Sequence, residues 1–274
     1  MRDEGQPGRW RKDKHKPMKA NKADRDWDNF AKISPYFGVV TWDEFKPENL
    51  TEQTITDFFK SGEKVIEMVV SSIRRHLDNS FQPARCLDFG CGVGRLLIPL
   101  AGRFQSVVGV DIAQAMLEEA QQNCLKRGLE NVEFVQSDDE LSRVTGKFDF
   151  IHSYIVLQHI ATQRGEKILK RMIDLLNEDG IAALHFTYAA NRTFSKRLKY
   201  WMHTSMPLAH NFINLARGRK FNYPYTQINQ YDLNRVMETL QENGCEHAYL
   251  RFTNHDHLLG LFLMFQKKQV GLVY

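Results

Sequence analysis

From Arg85 onward, short β-rich runs alternate with helical stretches at a spacing that few folds accommodate. The runs cover residues 86–89, 107–111, 132–135, 148–154 and 181–187. Between them, apolar residues recur at helical intervals over 95–101, 113–127 and 165–176. Strand–helix–strand steps of this length make right-handed crossovers, so the pattern predicts a parallel sheet with helices on both faces. A helix over 233–240 follows. Two β-rich runs, 249–252 and 258–265, joined by the turn-rich 253–257, then predict a closing antiparallel hairpin. A doubly wound α/β sheet of this kind takes ligands at the carboxyl ends of its strands, where strand order reverses.

The rest of the chain flanks that sheet. Residues 1–28 are rich in Gly, Pro, Lys and Asp with little apolar periodicity, and read as a disordered basic tail. Seven basic residues and one acid lie between Arg9 and Lys22, so the formal net charge of +4 belongs to this tail and the remaining body is nearly neutral. Residues 29–83 read as a helical cap, with Ile66, Val69, Ile73 and Leu77 at helical spacing. The main domain spans 84–268, and 188–228 is an insertion over the strand ends. Residues 187–231 hold seven Lys or Arg, nine aromatics and no acid, which suits a substrate lid for an anionic or membrane-proximal acceptor. The four cysteines form no CxxC pair and no zinc spacing, so reduced thiols and a cytoplasmic setting are expected, with no metal. The longest apolar run, over 258–265, is too short to span a bilayer, and no signal peptide is expected.

Between the first run and the first helix of the alternating region stands Leu87-Asp88-Phe89-Gly90-Cys91-Gly92-Val93-Gly94-Arg95. Glycines at alternate positions let the backbone turn sharply and approach a ligand. A dinucleotide fingerprint would need glycine where Arg95 stands, and no Gly-Lys-Ser/Thr follows to make a phosphate loop. The pattern Asp-x-Gly-x-Gly-x-Gly resembles motif I of the class I S-adenosylmethionine-dependent methyltransferases. Asp111 at the end of the second run, Asp138-Asp139 after the third, and Asn-Glu-Asp-Gly180 before the fifth extend the resemblance over about residues 84–187.

The resemblance implies a Rossmann-like methyltransferase sheet with S-adenosylmethionine as cofactor. It implies that Asp111 accepts from the ribose hydroxyls, and that Gly90, Gly92 and Gly94 lie against the methionine and ribose. Asp88 would fix the loop and balance the ammonium, Asp138 or Asp139 would accept from the adenine amino group, and Ile112 and Met116 would pack on adenine. Cys91, Arg95 and Tyr154 belong to the same expected set. The fourth run ends in Leu157-Gln158-His159-Ile160, which is similar to the small-molecule branch related to quinone-biosynthesis enzymes. His159 is therefore the first candidate for base or for orienting the acceptor, equally open to simply satisfying loop backbone; His185 and Tyr188 follow. His255-Asp256-His257 is expected to be a solvated turn. Tyr36, Phe59 and Gly62 are candidates for an N-terminal cover.

The expected reaction is methyl transfer to a small molecule, at oxygen of a sugar, phenol or anionic metabolite. Nucleic acid is not the expected partner. An RNA or protein methyltransferase and a non-catalytic cofactor-binding protein remain the alternatives, and the oligomeric state is left open.

Overall fold

A computed structural model describes residues 22–190, 227–255 and 257–268. Most of the expected lid, and residues 1–21 of the expected tail, lie outside the described residues. Seven strands form one sheet: β1 (Arg85–Phe89), β2 (Ser106–Asp111), β3 (Val132–Gln136), β4 (Phe148–Ser153), β5 (Leu176–Ala190), β6 (His247–His255) and β7 (Leu258–Gln266). Their order is β3-β2-β1-β4-β5-β7-β6. The first five are parallel, while β7 runs antiparallel to β5 and β6 antiparallel to β7. Strand order reverses between β1 and β4, which places the switch point beside the glycine motif.

Both faces of the parallel strands are buried, which explains why they read as continuous apolar runs. One face packs against α3 (Glu52–His76), α4 (Leu97–Ala101) and α5 (Gln114–Leu125) through Ile66, Leu97, Leu117 and Phe150. The other packs against α6 (Thr162–Leu175) and α7 (Leu233–Glu242) through Leu87, Ile168, Met172 and Val236. Among the described residues, no helix is long and apolar enough to cross a membrane.

Of three boundaries with a clear physical cause, two differ from expectation. β5 begins at Leu176 rather than 181, because its first residues pair with β4 at Phe148 before a register shift, with Asp179 at φ +61°. The helix of the cap starts at Glu52, fixed by a capping box in which Thr51 and Thr54 exchange side-chain and backbone hydrogen bonds. Residues 22–28, expected to belong to the tail, are helical. Lys22–Ile33 forms helix α1, followed by the short α2 (Pro35–Val39), and stacking of Phe30 on Phe37 ties the two together.

Candidate functional site

The first βα turn is laced to the neighbouring strand: the Gly90 and Cys91 N–H groups both donate to the Val110 carbonyl, at 2.7 and 3.0 Å. Gly90, Gly92 and Gly94 all have positive φ. At Gly90 there is also no space, since a Cβ would lie 2.4 Å from Val156. The turn opens into a cavity at the carboxyl ends of β1, β2 and β4. Its walls include Phe89, Gly90, Gly92, Asp111, Ile112, Met116, Ser137, Asp138, Asp139, Tyr154, Ile155, Val156 and His159.

Asp111 is the anionic centre of this cavity. Its Oδ2 accepts from Gly92 N–H and its Oδ1 from Ala113 N–H, both at 2.9 Å. Burial pushes its pKa up to about 6, while these backbone donors work against the rise. Each oxygen keeps a lone pair for a further donor. Around the cavity wall, Asp138 accepts from the Ser142 N–H and hydroxyl, and Asp139 is gripped by both arms of Arg164 at 2.5 and 2.6 Å. Arg164 also donates to Asp24 at 3.1 Å.

Not every expected contact residue lines the cavity. Asp88 lies beneath the turn, where its Oδ1 pairs with His152 Nδ1 at 2.9 Å and its Oδ2 has no partner among the described residues. Cys91 is turned into the core, Gly94 serves the close approach of Ile98 and Ala120, and Arg95 runs behind the turn to Ser61 Oγ at 3.0 Å. Tyr36, Phe59 and Gly62 anchor the N-terminal layer instead of covering the cavity. Tyr36 donates to Glu119 at 2.7 Å, Phe59 carries the Arg127 guanidinium at 3.9 Å, and Gly62 abuts the Arg95 backbone.

The cover that does exist was not legible in the sequence. Asp24 and Trp27 of α1, with Gly38 and Val39 of α2, close one side of the cavity, and Trp27 meets the His159 ring edge-on at 5.0 Å. Apart from Trp27, little but the alternation of charges marks α1 as a helix. Removing residues 1–21 should leave ligand affinity unchanged, whereas removing 1–33 should weaken it about tenfold, roughly 1.4 kcal/mol, in a calorimetric titration. Equal affinities for the two truncated forms would contradict the cover.

The three candidate bases are placed differently. His159 lines the cavity, but its Nδ1 donates to the Gln227 carbonyl at 2.8 Å and its Nε2 faces the Gln158 amide at 3.1 Å. It thereby ties the segment after β4 to Gln227. His185 lies in the core, bonded to Thr253 Oγ1 at 2.8 Å, and Tyr188 packs towards Phe252; neither lines the cavity. Burial lowers the His159 pKa to about 4 and the His185 pKa to about 3, with neighbouring His255 adding to the latter.

These shifts set a pH dependence. The unfolded chain binds protons at both histidines below about pH 6.5 while the folded chain does not, so stability is lost as pH falls from about 6.5 towards 4. Asp111 acts in the opposite sense, because its raised pKa keeps the folded state protonated where the unfolded carboxyl is ionised. His185→Gln should therefore flatten the acid loss by up to about 1.4 kcal/mol per pH unit relative to wild type, read from urea midpoints between pH 6 and 4. Parallel curves would refute the buried neutral imidazole.

One position in the cavity wall has a strained backbone. Ile155, between Tyr154 and Val156 in the cavity wall, has φ +61°, a region β-branched residues seldom enter and which costs about 1–3 kcal/mol.

An open α/β sheet with a glycine turn at its switch point and a carboxylate closing the next strand defines a nucleoside-binding class I fold. Residues 86–180 match the family model described as Methyltransferase domain, so the chain carries a class I, Rossmann-like methyltransferase domain there. The solved structure of magnesium protoporphyrin IX methyltransferase from Synechocystis PCC 6803 with bound SAH is similar, with TM-score 0.60 and 20% identity over 89% of this chain and 100% of that one. Phospholethanolamine N-methyltransferase 2 of Haemonchus contortus, with phosphomonomethylethanolamine and S-adenosylhomocysteine, gives 0.55 and 16% over 74% and 53%. At these identities the likeness is one of fold. In sequence, the 23S rRNA (uracil(1939)-C(5))-methyltransferase RlmD of Salmonella typhi is 38% identical over 84 residues, which is 31% of this chain and 19% of that protein.

Proposed function

We propose that this protein is an S-adenosylmethionine-dependent methyltransferase acting on a small-molecule acceptor, at an oxygen of a sugar, phenol or anionic metabolite. The observation that carries the cofactor assignment is Asp111, a half-buried carboxylate at the end of β2 facing the cavity beside three positive-φ glycines. A carboxylate there can accept from two vicinal hydroxyls, and the side-chain-free turn admits main chain against the ligand. Ile112 and Met116 offer apolar faces to a purine. The named substrates of the two structural neighbours support a small acceptor. Titration with S-adenosylmethionine and S-adenosylhomocysteine tests the cofactor, and failure of both to bind overturns the assignment.

The similarity to RlmD favours a second reading, an RNA acceptor. It covers only the shared domain, and the chain spans at most a quarter of the curated relatives it matches. All four cysteines are buried with thiol pKa values raised chiefly by burial, and none lines the cavity, so a thiolate nucleophile is not part of this site. Labelled cofactor incubated with total RNA and with the small-molecule fraction of an extract separates the readings. Label entering RNA alone rejects the small acceptor.

A further inference from the structure

Four of the five buried polar side-chain atoms without a partner among the described residues lie at the carboxyl ends of the central strands: Asp88 Oδ2, Arg95 Nε, His152 Nε2 and His185 Nδ1. Tyr154 joins this row to the cavity. Its ring stacks on Phe262 at 4.8 Å, meets His185 at 5.1 Å, and lies 5.8 Å from the Arg95 guanidinium. Its hydroxyl reaches His255 Nε2 at 3.3 Å. Gly260 makes the far end possible, since a Cβ there would sit 2.8 Å from His185 Nε2 and block its reach across β7 to Thr253.

We propose that Tyr154 is the catalytic residue that takes the acceptor's proton, passing its own hydroxyl proton to His255. This rests on the methyltransferase reading above. The cofactor supplies a sulfonium methyl, whose carbon–sulfur bond breaks with its electron pair left on sulfur as the new carbon–oxygen bond forms. The acceptor's hydroxyl proton moves to Tyr154 Oη, the phenol's original proton moves to His255 Nε2, and the positive charge ends on the His255 imidazolium. Half-buried His255 then returns its proton to water. His159 is less suited, because its Nε2 lone pair already faces the Gln158 amide.

The groups facing Tyr154 are Arg95 from the glycine turn, His185 from β5 and His255 from β6, with Asp88 and His152 behind Arg95. Burial raises the Tyr154 pKa and Arg95 opposes it, so the phenol is protonated at neutral pH and acts as a relay.

Tyr154→Phe keeps the ring and removes the hydroxyl. Methyl transfer into the small-molecule fraction should fall about hundredfold, the usual scale for one acid–base group, with S-adenosylmethionine affinity within twofold of wild type. Because the relay needs a neutral His255, wild-type turnover at saturating S-adenosylmethionine should rise with pH, and that rise should vanish in Tyr154→Phe and in His255→Gln alike. Independently of turnover, nitrogen-15 spectra of the protein with S-adenosylhomocysteine should show the His255 Nε2 resonance shifted in Tyr154→Phe. An unshifted resonance, or an unchanged rate and pH profile, overturns the relay. Equal loss of cofactor affinity and rate reduces Tyr154 to a wall of the cavity and overturns it too. If wild-type protein binds no S-adenosylmethionine, the methyltransferase reading falls as well.

Discussion

Asp111→Asn should cost S-adenosylmethionine binding a few hundredfold, roughly 3–4 kcal/mol, with the fold retained. The substitution is isosteric, so packing around it hardly changes, but it converts an acceptor-only group into one with a single oxygen. In the structure both oxygens already receive a backbone N–H, from Gly92 and Ala113. An amide can serve only one of them, and its NH2 then faces a donor. Hydrogen bonds to a charged acceptor contribute about 1.5–3 kcal/mol each, and two ribose hydroxyls would lose that partner. The same residue predicts a pH effect: as its carboxyl protonates below about pH 6, cofactor affinity should fall, and in Asp111→Asn that dependence should be absent. Titrations at pH 7.5 and 5.5 check both, and a variant binding within threefold of wild type would refute the role of Asp111.

Gly62→Ala should destabilise the protein by about 3 kcal/mol or more, although alanine normally improves a helix interior by about 1 kcal/mol. Gly62 lies within α3, and a Cβ there would stand 2.1 Å from the Arg95 carbonyl oxygen. That neighbour is main chain directly after the glycine turn, so relief requires moving either a 25-residue helix or the turn itself. Overpacking of this rigid kind is not absorbed by a rotamer change. Cofactor affinity should fall in parallel, because the turn is what the helix presses upon. Gly102→Ala is the control: its Cβ would meet nothing closer than 3.8 Å, and its midpoint in urea should stay within about 1 kcal/mol of wild type. Equal midpoints for the two variants would show that α3 does not rest on the turn.

The alternation from Arg85 revealed the sheet because each strand is buried on both faces and each crossover is short enough for one helix. The edges were harder to read. Asn177-Glu-Asp-Gly180 has the composition of a turn, yet β5 runs through it, with Leu176 and Ile181 on either side pairing with Phe148 and Phe150 of β4 across a register shift. The cavity's floor was legible because glycines and strand-end carboxylates have few other uses there: Gly90, Gly92, Asp111, Ile112, Met116, Asp138, Asp139 and Tyr154 all line it. Its roof was not, because Asp24 and Trp27 sit in a charged segment whose helix is held by tertiary contacts with α5 and Arg164. His159 looked like chemistry from its position beyond β4; its two nitrogens are taken up by Gln227 and Gln158, a bond pattern that spacing alone does not encode.

The contacts that close the cavity by α1 also bear on how fast its contents exchange. Asp24–Arg164 is a partly exposed ion pair, and Trp27 touches His159 at a single ring edge. Salt weakens the first and leaves the second nearly untouched. Residence time of bound product should therefore shorten as ionic strength rises, so that turnover limited by release quickens with salt.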